Sequence, residues 1–359
     1  MFPQLVETIY SPALPDIARS FQTSNEQAAQ TISVYFVAFA VGVAVWGWLS
    51  DCIGRRPAMM AGLLCYGVGS AIAIVATDFS ILLLARMVAA MGAAAGSVVV
   101  QTMLRDSYES TALASVFSVM GAALAVSPVF GLASGGWLVS RYGHTGVFAA
   151  LIVLAIVLFV LTAVVLPETR PENTSGLRFA GLASRMVRDG TLRKNAMLVA
   201  LLNTMLFSYY SLAPFLFGQL GWGNMEFGWT GGLLAFASLS GSLLNRKLLT
   251  TGLSPEKLVR YACAMALLSS VAAWWLQHSV WILVPVAGVV IAYGIAIPNV
   301  LSQALNHYRE QAGAAGALFG LSYYLLLGIM LGLAGMVQQL GLVLTVCALT
   351  ALLCSLSRR

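Results

Sequence analysis

The chain has 359 residues, of which 59% are hydrophobic and only 9% charged, against about 25% charged in an ordinary soluble domain. So few charges cannot clothe a water-facing surface, which excludes a soluble enzyme or binding module. The formal charge of +6 would suit nucleic acid if the basic residues formed a face. Instead they fall in short connections between apolar stretches, as in a membrane protein.

A helix that spans a bilayer needs about 20 mostly apolar residues. Twelve such stretches are predicted, near 1–20, 25–49, 58–76, 79–103, 112–138, 144–166, 193–218, 227–245, 257–276, 280–303, 311–336 and 338–356. The first starts at Met1 and meets Pro12 and Pro15. Met1 to Leu14 rises only about 20 Å as a helix, against a hydrocarbon core of about 30 Å. A missing start explains this, and so does a short helix that tilts or thins the bilayer. The longest connection, 167–192, holds Pro167, Glu168, Pro171, Glu172 and four arginines, which is linker chemistry. The expected architecture is therefore all-α and membrane-embedded. It has an N-terminal six-helix bundle over 1–166, a linker over 167–192 and a C-terminal six-helix bundle over 193–359, a layout suited to rocking about a central site.

Orientation follows from the basic residues. Sixteen of the nineteen fall in one set of alternate connections, including Arg55, Arg56, Arg105, Arg178, Arg309, Arg358 and Arg359. Only Arg19 and Arg141 fall in the other. Both termini are thus expected in the cytoplasm.

Two charges lie inside the apolar band. Glu7 is the one acid well within a span, and Arg86 the one cation. Ionisable groups there are costly and mark function by default. A carboxyl can alternate between proton and substrate, whereas a guanidinium keeps its proton and can only tune a neighbour. In the second connection, Gly47 is expected to admit another helix and Gly54 a tight turn. Asp51, with Arg55 and Arg56, would form a charge latch that caps a helix across the two halves. Pro128 shares one helix with Gly131, Gly135 and Gly136, small residues that let backbones touch in lipid. Candidate cavity walls are Tyr10, Tyr35, Phe39 and Gln101 in the first half, and Asn203, Tyr209, Tyr210, Asn299 and Tyr323 in the second. This mixture suits a large apolar ligand, with a cation held over aromatic faces.

The chain has no G-x-x-x-x-G-K-[ST] loop and no H-E-x-x-H. His144, His278 and His307 lie far apart, and the five cysteines have no metal-type spacing. Neither an enzyme nor a metal or cofactor is therefore expected.

Several stretches carry a resemblance. Gly47 to Pro57 (GWLSDCIGRRP) resembles the loop between the second and third helices of major facilitator superfamily transporters, whose pattern is G-x-L-[SA]-D-x-x-G-R-[RK]. The runs 7–18, 86–94, 101–106 and 127–136, with Pro167-Glu168-Thr169-Arg170-Pro171, are together similar to the Bcr/CflA-type drug:proton antiporters of that superfamily. Four positions depart from that group's pattern: Leu132 replaces a proline, Ala89 and Ala90 replace Gln or His and then Gly, and the first-helix acid is Glu7. The resemblance implies proton-coupled efflux of amphipathic compounds across a bacterial inner membrane by a monomer. Glu7 and Arg86 would couple protons, and the 47–57 loop would gate. A metabolite exporter such as a siderophore carrier, or a non-transporting sensor or scaffold, would share the same scaffold.

Overall fold

The computed structural model describes residues 2–108, 110–170, 179–305, 308 and 312–357, and among these the regular structure is entirely helical. His307, Arg309, Arg358, Arg359 and the Pro171–Arg178 part of the expected linker lie outside the described residues. The first traverse is built in pieces: α1 (Phe2–Tyr10), a tight 3-10 turn over Ser11–Ala13, and α2 (Leu14–Ser20). The interruption sits at Pro12 and Pro15, which lack the N–H that an uninterrupted helix needs. Helix α3 (Asn25–Ile53) starts at a reciprocal cap in which Ser24 accepts from Gln27 N–H and the Gln27 side chain accepts from Ser24 N–H.

The second connection shrinks to one residue. Helix α3 runs to Ile53 and α4 (Arg55–Val75) begins immediately, with Gly54 at φ +104° between them. Gly47 and Asp51, read from sequence as part of a loop, are helical because nothing before Gly54 breaks the run. Helix α5 (Phe79–Ser107) follows. The fifth and sixth traverses form one helical run, α6 (Ser110–Val165), turned at Gly143 (φ +64°). The Asp16 carboxylate receives the His144 backbone N–H at 2.8 Å just past that turn, so the end of the first traverse caps the start of the sixth.

Part of the expected linker is helical. Residues 179–188 form α7 (Phe179–Arg188), with Leu182 and Met186 buried and Arg185 and Arg188 in its last turn. The i, i+4 spacing of Leu182 and Met186 was the available signal. Asp189 then accepts from the N–H groups of Thr191 and Leu192 and starts α8 (Gly190–Gln219). Helices α9 (Asn224–Thr250), α10 (Pro255–Trp275), α11 (Leu283–Ala304), α12 (Ala312–Val337) and α13 (Leu340–Leu356) complete the chain.

Among the described residues nine helices are long and apolar enough to cross a membrane. Dividing α6 at Gly143, and adding the broken first traverse and the 17-residue α13, gives twelve traverses. The first bundle packs through α4 on α5 and α6, and the second through α10 on α11 and α13. They meet along α3 with α12 and α6 with α9. Their outer faces carry Val164, Leu268 and Trp275, each more than 70% exposed, a surface that only lipid tolerates. Inside, glycines replace bulk: a Cβ on Gly69 would strike the backbone of Ala85 and Ala89, the close approach by which helices associate in lipid.

Candidate functional site

Three helices of the first bundle bring an ion pair to its centre. Glu7 of α1 and Arg86 of α5 are 2% and 1% exposed, and Arg86 Nη2 donates to Glu7 Oε1 at 2.7 Å. The guanidinium lies between two rings, with Cζ 3.8 Å from the Tyr10 centroid and 4.4 Å from that of Tyr35 on α3. Stacking on aromatic faces suits a weakly hydrated planar cation. Tyr10 is fixed in turn by its hydroxyl, which donates to Thr31 Oγ1 at 2.9 Å. Glu7 Oε2, Arg86 Nε and the Tyr35 hydroxyl are buried without a hydrogen-bond partner among the described residues. Such groups are expensive unless something else engages them.

An aromatic layer joins this pair to the second bundle. Tyr35 stacks near Phe39 at 6.1 Å; Phe36 meets Phe207 of α8 at 4.5 Å; Phe39 meets Tyr324 of α12 at 4.8 Å; Tyr323 and Tyr324 lie 4.3 Å apart. Tyr210 reaches the layer through Phe207 at 5.6 Å, and Tyr209 flanks it on the far side against Phe227. The other expected wall residues are polar. Asn203 receives the Tyr293 hydroxyl at 3.1 Å, and Asn299 donates to Asn245 Oδ1 at 2.6 Å, both inside the second bundle. Gln101 lies fifteen residues beyond Arg86 on α5, about 22 Å along the axis.

At the end of the bundles that carries Arg55, hereafter the basic end, charges are tied locally. Arg55 pairs with Asp51 and, at 3.1 Å, with Asp106 of α5. The Glu168 carboxylate, just past α6, receives the backbone N–H groups of Arg55 (2.9 Å), Arg56 (3.1 Å), Thr169 (3.0 Å) and Arg170 (2.9 Å). Burial pushes the Glu168 carboxyl up, but these four donors win and hold it below the usual carboxylate range. Asp51 sits in the last turn of α3 and pairs within its own connection, and Glu168 supplies the cap on α4. Sequence reasoning missed this role of Glu168 and that of Asp106, because both depend on which helix ends meet. Gly54 needs to be glycine, by its φ and by the Glu168 Oε2 that would lie 2.6 Å from a Cβ. Gly47 does not: a Cβ there meets Ala317 at an ordinary 3.6 Å, so the expected close approach is absent.

At the opposite end the two bundles touch through backbone. A Cβ on Gly136 would strike Asn224 O, one on Gly231 would strike Pro128 O, and one on Gly228 would stand 2.8 Å from Leu132 O. Gly131 and Gly135 face Thr8 and Ile9 of α1. Ser33 and Gln30 of α3 donate to Gly328 O (2.8 Å) and Gly332 O (2.9 Å) of α12. The seam therefore closes α6 on α9 and α3 on α12.

The sequence matches the Major Facilitator Superfamily over residues 2–345. It is 31% identical over 343 residues to an uncharacterized transporter of Rickettsia bellii, covering 90% of this chain and 84% of the relative. It is 28% identical over 365 residues to Multidrug resistance protein D of Escherichia coli, covering 98% and 91%. Among solved structures, the xylose transporter XylE from E. coli, in a partially occluded inward open conformation, superposes with a TM-score of 0.76 at 13% identity, covering 99% and 94%. A bacterial homologue of the lysosomal transporter Spinster, inward-facing and unoccupied, gives 0.73 at 17% identity, covering 99% and 94%.

Proposed function

Because the chain belongs to the Major Facilitator Superfamily, a family of transporters and not of enzymes, we propose that it exports amphipathic cationic or neutral compounds in exchange for protons. It would work as a monomer in a bacterial inner membrane. Residues 1–166 and 193–359 would be its two moving bundles and 167–192 the connection between them. The basic end, with both termini, faces the cytoplasm in this reading, in accord with the positive-inside rule.

The observation that carries the reading is the buried Glu7–Arg86 pair at 2.7 Å, set against an aromatic layer that joins the two bundles. Charged, Glu7 is held by Arg86 and offers Oε2 to a substrate cation. Protonated, it releases both. A carboxyl that loses its proton on one side and regains it on the other couples two fluxes through one group. Arg86 keeps its charge throughout and draws Glu7 back to the ionised form. The glycine seam would keep protons from leaking around the site, and Asp51, Arg55 and Arg56 would hold or release the cytoplasmic face. The likeness to Multidrug resistance protein D adds support for drugs as cargo.

The test uses energised inside-out vesicles with an internal pH-sensitive dye and a panel of lipophilic cations and neutral drugs. Proton release that appears with particular compounds, needs this protein and is abolished by Glu7→Gln is the expected result. Full proton-coupled efflux by Glu7→Gln would remove Glu7 from the mechanism.

A further inference from the structure

The two bundles repeat one arrangement, and one corner of that arrangement differs between them. In the first bundle the third traverse, α4, begins where α6 ends, and Glu168 fills the meeting point with its carboxylate, receiving the first N–H groups of α4. In the second bundle α10 occupies the place of α4, and α13 that of the end of α6. The corresponding corner is a cavity of about 910 Å³, bounded by the ends of α8, α10, α11 and α13.

The lining of that cavity is sorted by depth. Leu198, Val259 and Val300, all buried, form an apolar floor. Lys194 and Arg260 bring positive charge, and Thr191 and Ser254 bring hydroxyls beside the N-termini of α8 and α10. Lys194 donates to Ser357 O at 2.8 Å, one of the three N–H groups an ammonium carries. The α10 terminus adds the positive end of its dipole. Glu256 is the one acid in the lining and opposes this field.

We propose that this corner binds the phosphate group of an anionic amphiphile, with a phospholipid as its source. The phosphate sits between Lys194 and Arg260, and the glycerol and first methylenes rest on the floor of Leu198, Val259 and Val300. The bound phosphate then does for α10 what the Glu168 carboxylate does for α4: it supplies an anion at the corner of the bundle. A basic recess between membrane helices, at the level of the lipid headgroups, is the arrangement that recognises such lipids. The site lies within the second bundle, away from Glu7 and Arg86, and stands whether or not the transport reading does.

Native mass spectrometry of the purified full chain, titrated with phosphatidylglycerol or phosphatidylcholine, tests it. Wild type should retain phosphatidylglycerol in preference. Removing both cations with Lys194→Gln and Arg260→Gln should weaken that binding by about 25-fold, roughly fivefold per charge. Glu256→Gln should tighten it by about fivefold on the same basis, a gain that a damaged fold cannot produce. A parallel arm replaces lipid with inorganic phosphate and follows the melting temperature. Stabilisation by phosphate that is lost in the doubly substituted chain, without lipid retention, would keep the phosphate site and assign it to a free anion. Phosphatidylglycerol binding that ignores all three substitutions, together with no response to inorganic phosphate, would overturn the proposal.

Discussion

The pairing of Glu7 with Arg86 makes an asymmetric prediction about stability. With the charge centres about 4 Å apart and an effective dielectric near 20, the attraction is worth about 4 kcal/mol. Glu7→Gln removes it and leaves a guanidinium that cannot give up its proton, supported only by the Tyr10 and Tyr35 faces, each worth about 0.5–2 kcal/mol. Breaking one side of a buried pair in this way costs about 3–5 kcal/mol. Arg86→Met leaves a carboxyl, which can be neutralised by taking a proton. Its cost should therefore shrink as the pH falls, while that of Glu7→Gln should not. Replacing both partners removes both charges, so the double variant should be more stable than Glu7→Gln alone. The assay is unfolding of purified protein in mixed micelles, by heat and by SDS fraction, for wild type, both single variants and the double. The expected coupling energy from the cycle is about 3–5 kcal/mol at neutral pH. Glu7→Gln as stable as wild type, or Arg86→Met with no recovery in acid, would refute a buried, charged pair.

Glu168→Gln should lower the melting temperature at neutral pH. The folded carboxyl titrates below its unfolded value, so its contribution is present above the ordinary carboxylate range of about 4 and is lost as the pH falls through the folded value. The gap between variant and wild type should close in acid melts, and a gap that stays constant would deny the carboxylate its role. Since Glu168 is largely solvent-exposed, that gap should be small. Gly54→Ala should cost about 1–3 kcal/mol, because φ +104° with ψ 159° is a conformation open essentially only to glycine, with more from crowding against Glu168, while Gly47→Ala should stay within about 0.5 kcal/mol. Equal melting shifts for the two would contradict the geometry. Gly231→Ala, whose Cβ would strike Pro128 O, should cost about 1–3 kcal/mol and slow transport. Its neighbour Gly232→Ala, with open space at the Cβ, should do neither, and vesicle flux measured for the two side by side checks this.

Composition and spacing were enough to determine that this chain lives in lipid. A long apolar run has few ways to satisfy its backbone there, so helices of spanning length follow directly. The oddity of the first traverse was legible too, since Pro12 and Pro15 act locally. Glu7 and Arg86 stood out for a similar reason: charge is scarce in the apolar band, and any that persists attracts notice. Nothing in the spacing of residues 7, 10, 35 and 86 said that the two charges touch, or that the guanidinium lies between two tyrosine rings. Those contacts depend on how α1, α3 and α5 rotate about their own axes, and that is set by side chains packing across helices. The same holds where sequence reasoning went astray. Gly47 looked like a contact glycine but has room for a methyl group, and Asp51, expected to cap a helix across the two halves, pairs with Arg55, while Glu168 caps α4 from 113 residues beyond Arg55. Periodicity reports which residues share one helix face. Which face meets which neighbour is decided only when the helices pack, because in lipid every face is apolar and burial alone cannot tell them apart.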